Sequence, residues 1–183
     1  DVSKVVERVK NGDSLQSIAS ENPNDFIRLH KGITALKVAL QPRITTFVKS
    51  HVEVLYGKPG TGKTRKVYEN DSVYSVMKPQ KNGNIWFDNY DGQDVLLIDD
   101  FEGWIEYTFL LHLLDGYPLQ LPIKGGTLHR NWTKVYITSN KSIWEWYEHS
   151  IDALVRRIDK VFRYEKNNVI KEIEIHIKEK DAS

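Results

Sequence analysis

One eight-residue run constrains the fold of this chain more than anything else in it: Gly57-Lys58-Pro59-Gly60-Thr61-Gly62-Lys63-Thr64. It satisfies G-x-x-x-x-G-K-[ST] at every position. It follows the β-rich stretch Val52-Glu53-Val54-Leu55-Tyr56 and opens a helical one from Lys63 to about Asn70. A strand turning through glycines into a helix is the setting in which such a run binds phosphate. Gly57, Gly60 and Gly62 let the backbone approach phosphate oxygens, and amides at the helix start donate into them. Lys63 is expected to neutralise the β- and γ-phosphates, and the Thr64 hydroxyl to ligate Mg²⁺. ATP and Mg²⁺ are therefore the expected cofactors, cradled by Gly57, Lys58, Pro59, Gly60, Thr61, Gly62, Lys63 and Thr64.

Further along, Val95-Leu96-Leu97-Ile98 is wholly apolar and of strand length, as a central parallel strand covered on both faces would be. It ends in Asp99-Asp100. Carboxylates at the carboxyl end of a parallel strand lie where α/β sheets bind ligands. Asp99 is assigned to Mg²⁺ through water, and Asp100 to polarising the attacking water. A second strand, Val135-Tyr136-Ile137-Thr138, ends in Ser139-Asn140, and the Asn140 amide can reach both a γ-phosphate and the water. Asn140-Lys141 resembles the start of a guanine-reading N-K-x-D element, but position 143 is Ile, which argues against GTP. Arg156-Arg157 is either a solvated basic pair on a helix or an arginine finger for a neighbour's γ-phosphate.

The texture changes near residue 50, which divides the chain into a helical segment, 1–50, and an α/β domain, 51–183. In the first, Asp13 is expected to cap a short helix ended by Pro23, and a second helix starts at Asn24 or Asp25. Phe26, Leu29, Ile33, Leu36 and Leu40 form one apolar stripe, and Pro42 stops it. That stripe suits either packing on the main core or contact between subunits. In the second part, helices are expected over about 105–115 and 150–158. Leu119–Arg130 reads as a hairpin turning at Lys124-Gly125-Gly126-Thr127. Asp159–Tyr164 and Val169–Ile177 read as a closing strand pair.

Composition narrows the classes. Hydrophobic residues make up 40%, enough for a sizeable core, while a net charge of +1 leaves any nucleic-acid contact to local basic clusters or a ring of subunits. The absence of cysteine excludes disulfides, zinc fingers and thiol catalysis. No apolar run approaches the ~20 residues of a membrane span, and a chain opening on Asp1 without Met reads as part of a longer protein.

Taken in order, the phosphate loop, Ile98-Asp99-Asp100-Phe101, the hairpin with Lys124-Gly125-Gly126, Ile137-Thr138-Ser139-Asn140 and Leu154-Val155-Arg156-Arg157 resemble the superfamily 3 helicase domain of replication initiator (Rep) proteins of circular single-stranded DNA viruses, circovirus-like ones especially. Trp86 to Gln93 and Asp100-Phe101-Glu102-Gly103-Trp104 carry the same resemblance. It implies an AAA+-like P-loop α/β domain, with a mainly parallel sheet flanked by helices, behind a small helical oligomerisation collar. It implies a hexameric homo-oligomer with ATP between subunits, Arg157 as the finger in trans and Arg156 as the alternative. The hairpin would grip single-stranded DNA through Lys124, with His129, Arg130 and Lys134 as weaker candidates. Movement would be 3′ to 5′, and the setting a host nucleus, or the cytoplasm for a plasmid-borne relative. Rep proteins also carry an upstream endonuclease domain with His-x-His, a spacing that His30, His51, His112, His129, His149 and His176 do not offer, so that domain is expected to be absent here.

Two rival functions share the phosphate loop. A P-loop small-molecule kinase would need an arginine-rich lid, and Tyr117 to Asn140 reads as a hairpin instead. A DNA-binding assembly ATPase without unwinding would look the same in sequence.

Overall fold

The computed structural model of the chain describes residues 1–80 and 83–176. It divides into two units, Asp1–Pro42 and Arg43–Ser183. The first is three helices: α1 (Val2–Lys10), α2 (Leu15–Glu21) and α3 (Pro23–Ala39). Val5 and Val9, four apart on α1, meet Ile18 and Ile33 in a small core flanked by Leu15, Phe26, Leu29 and Leu36. Leu40 closes the expected stripe in sequence but stands exposed. Two sequence expectations are corrected. Ser14, not Asp13, caps α2, accepting from the Ser17 N–H; Asp13 instead takes the Arg8 Nε–H at 2.6 Å. Pro23 does not end a helix but begins α3, at the position where a missing N–H costs nothing.

The second unit holds a six-stranded sheet in the order β2-β3-β6-β1-β7-β8: β1 (His51–Gly57), β2 (Val73–Val76), β3 (Val95–Ile98), β6 (Lys134–Ser139), β7 (Lys160–Tyr164) and β8 (Ile170–Glu172). Every pairing is parallel except β7 with β8. β2 was not foreseen from sequence. β8 matches only part of the expected Val169–Ile177 strand, whose last residue lies outside the described residues. Residues 43–50 run with this unit, because the Ile44 and Val48 amides donate to the Arg130 and Gly116 carbonyls.

The four residues of β3 are all buried, as its continuous apolar run requires. One face of the sheet packs under α5 (Tyr107–Leu114), α6 (Asp152–Val155) and an aromatic cluster in which Phe87 stacks on Trp132 at 6.0 Å. The other carries Leu55, Val95, Leu97 and Tyr164 with Val67 of α4 (Lys63–Val67). A separate two-stranded hairpin, β4 (Gln120–Ile123) and β5 (Gly126–His129), has its register fixed by the Ile123–Gly126 pair. Among the described residues no helix is long and apolar enough to cross a membrane.

Candidate functional site

Because β6 lies between β1 and β3, the carboxyl ends of three parallel strands deliver the phosphate loop, Asn140 and Asp99-Asp100 to one edge of the sheet. Gly60 and Gly62 adopt φ of +75° and +88°, a region that favours glycine, and a Cβ on either would meet nothing within 4 Å. Their side of the loop is open space. Gly57 answers to a different demand: a Cβ there would sit 2.1 Å from the Tyr164 carbonyl oxygen, so β7 fixes its identity.

Lys63 is buried, and its Nζ donates to the carbonyls of Gly57 at 2.8 Å and Lys58 at 2.9 Å, with Thr61 Oγ1 at 3.5 Å and Asn140 Oδ1 at 3.4 Å. Burial pushes the ammonium pKa below its ordinary value, and Asp100 and Asp99 pull part of that back. The loop's own carbonyls thus hold the Lys63 ammonium group in place. Beside the loop lies a recess of about 390 Å³ lined by Lys58, Asn140, Arg163 and Lys166, among others.

Asp99 Oδ1 accepts two hydroxyls, Thr64 Oγ1 at 2.7 Å and Thr138 Oγ1 at 2.6 Å. Thr64 and Asp99 thereby set hard oxygen donors side by side at the loop's mouth. That set suits Mg²⁺ held jointly with phosphate oxygens. Among the described residues no three His, Asp or Glu side chains gather as a metal cluster. Asp100 is exposed and takes a left-handed φ of 48°. The turn is stitched to β6: the Asp100 and Phe101 amides donate to Thr138 Oγ1 and O at 3.0 and 2.8 Å, and Ser139 Oγ donates to the Phe101 carbonyl at 2.6 Å. Thr138 and Ser139 are fully buried, and sequence reading assigned neither a role. The available signal was two consecutive hydroxyl residues inside an apolar strand directly before Asn140.

The arginine pair divides. The helix expected over 150–158 ends at Val155, and Arg156 is its exposed C-cap with no side-chain hydrogen bond or ion pair among the described residues. Arg157 instead turns inward, its Nε donating to Asp115 Oδ1 at 2.8 Å and its Nη1 to the Ala153 carbonyl at 2.7 Å.

The four hairpin cations divide as well. Lys124 stands exposed at the turn, its amide held by Asp88 Oδ1 at 2.9 Å. His129 is half-buried with its Nε2 3.4 Å from Arg43 Nη1, and Lys134 is exposed at the amino end of β6, the far end of that strand from Asn140. Arg130 is a correction. It is 0% exposed, and its guanidinium donates to Trp132 O, Tyr117 O, Val48 O and Ser50 Oγ at 2.7 to 3.2 Å, so no donor face is left for DNA.

Comparison with known proteins points one way. The model of a family described as RNA helicase matches residues 53–141. The replication-associated protein of Beak and feather disease virus is 35% identical over 162 residues, covering 87% of this chain and 54% of the relative. That of Porcine circovirus 2 is 35% identical over 163 residues, 86% and 51%. That of Human associated cyclovirus 1 is 34% identical over 172 residues, 87% and 59%. The chain spans about half the length of the curated relatives it matches.

Proposed function

The chain belongs with the superfamily 3 helicase domains of circovirus-like replication-associated proteins, and on that footing we propose that it is an ATP-hydrolysing motor that moves 3′ to 5′ along single-stranded DNA in rolling-circle replication. One observation carries the reading: at three neighbouring strand ends, Lys63 meets Asn140 at 3.4 Å and the adjacent Thr64 meets Asp99 at 2.7 Å. Lys63 exchanges its loop carbonyls for β/γ-phosphate oxygens, Asn140 orients the attacking water, and the exposed Asp100 carboxylate accepts its proton. Mg²⁺ bound by Thr64 and Asp99 would neutralise charge developing on the phosphates.

The site is open, which fits completion by a neighbouring subunit in a hexameric ring. Arg156 suits the trans finger better than Arg157, whose guanidinium is already bonded inside its own chain. Ile27, Val38 and Leu40 of the helical unit are apolar, exposed and unused by its own core, which supports the collar reading. Lys124, presented once per subunit by the hairpin, supplies phosphate contacts around a channel. The relatives are about twice as long, in keeping with a further domain such as the upstream endonuclease.

A strand-displacement assay tests this. Wild-type protein with ATP and Mg²⁺ should unwind a duplex bearing a 3′ tail. Lys124→Ala should lose most unwinding and DNA-stimulated turnover while keeping its basal ATPase. No displacement by wild type, alongside intact ATPase, would leave only an assembly ATPase.

A further inference from the structure

We propose that Thr138 is a positioning residue for the proposed hydrolytic site: its single hydroxyl sets the metal-side carboxylate of Asp99 and the backbone of Asp100 at once. The inference rests on the ATPase reading above and adds to it a residue to which the loop and strand-end motifs assign no role.

The geometry is compact. Thr138 is 0% exposed and sits one register step beyond the Ile98–Ile137 pair. Its hydroxyl donates to Asp99 Oδ1 at 2.6 Å and accepts the Asp100 N–H at 3.0 Å. Its own carbonyl accepts the Phe101 N–H at 2.8 Å. Three consecutive residues are therefore bound to one residue of the neighbouring strand. The hydroxyl's single proton is committed to Asp99, and Thr64 donates to the same oxygen at 2.7 Å. With two donors on Oδ1, Oδ2 is the oxygen left to a hydrated cation, and the carboxylate cannot swing without losing both bonds. The amide bond holds Asp100 in its left-handed turn, φ 48°, which a non-glycine residue adopts at a cost. A strand whose end also carries Asn140 thus sets the position of both aspartates.

Thr138→Val keeps the shape and removes the hydroxyl. A hydrogen bond to a charged group is typically worth about 1.5–3 kcal/mol, which corresponds to roughly a tenfold to hundredfold loss when the carboxylate is misplaced. The readout is the affinity for a fluorescent ATP analogue with Mg²⁺ divided by its affinity with EDTA, measured beside kcat and KM. T138V should reduce kcat by about tenfold to hundredfold, leave EDTA affinity within about twofold, and remove most of the Mg²⁺ enhancement. T138S, which retains the hydroxyl, should restore both. If T138V unfolds below the assay temperature, T138A is read the same way. An unchanged Mg²⁺ enhancement and kcat in the folded variant, beside an active wild type, would overturn the positioning role alone. A wild type that neither binds nor hydrolyses ATP would overturn the ATPase reading and this inference with it.

Discussion

Arg130→Ala should destabilise the second unit severely while telling nothing direct about DNA. The guanidinium is fully buried and bridges three parts of the unit: Val48 and Ser50 before β1, Tyr117 after α5, and Trp132 before β6. Removing it leaves three carbonyls and one hydroxyl without that donor, and a cavity large enough for a guanidinium. Part of the loss is returned, because burying the cation is itself costly; burial lowers its pKa, with Tyr90 and Asp115 opposing. A buried acceptor left unsatisfied typically costs about 1–3 kcal/mol, so four of them, less the part returned, cost roughly 3–5 kcal/mol, against about 5–15 for a whole domain. At about 2 kcal/mol per molar urea, the midpoint should fall by roughly 2 M. The assay is clean because all five tryptophans, Trp86, Trp104, Trp132, Trp144 and Trp146, lie in this unit. Urea unfolding followed by tryptophan fluorescence therefore reports it without signal from the helical unit. A midpoint within ~0.5 M of wild type, an offset of about 1 kcal/mol, coupled with lost DNA affinity, would refute the reasoning and return Arg130 to the DNA-contacting set.

The other expectations are shorter. R156A should lose most ATP turnover with an unchanged melting temperature, whereas R157A should melt lower because the Asp115 pair and the Ala153 carbonyl bond are lost; turnover lost only in R157A, without a stability change, would make Arg157 the finger. Asp159 gives a pH test. Burial raises its pKa, but the Lys49 ammonium at 2.8 Å, the Val52 N–H at 2.8 Å and nearby His51 outweigh that and hold it below the ordinary carboxylate value. A depressed folded pKa gives stability that is complete above the unfolded value, about 4, and lost as pH falls through the folded one. The advantage of wild type over D159N, about 1 kcal/mol, should be flat above about pH 5 and shrink below about pH 4; a gap that persists at pH 2 would contradict it.

What the sequence made legible follows from range. The phosphate loop, β1, β3 and the hairpin were readable because their signals are local: fixed glycine spacing, unbroken apolar runs, a Lys-Gly turn. α1 escaped notice because its buried face is only Val5 and Val9. β2 escaped because three of its four residues are half-buried and give no apolar run. Pro23 has the same letter whether it ends one helix or begins the next, and the neighbouring helix decides. The inward placement of Arg130 and Arg157 is invisible in the sequence for a shared reason. Their partners, Val48 and Asp115, lie 82 and 42 residues away, and a basic residue in sequence carries no mark of the acceptor that will bury it. Thr138 differs: its partner Asp99 stands out in the sequence at the end of an apolar strand, and only the strand order β3-β6-β1 makes the two meet.

The proposed site joins Lys63, Thr64, Asp99 and Asn140 into one ATP-hydrolysing centre completed by a neighbouring subunit. Steady-state phosphate release, measured with Mg²⁺ across a range of protein concentrations, tests it most directly. Turnover per chain should rise with protein concentration as subunits meet, be stimulated by single-stranded DNA, and be abolished in K63A. Turnover that is absent at every concentration, or that survives undiminished in K63A, would contradict it.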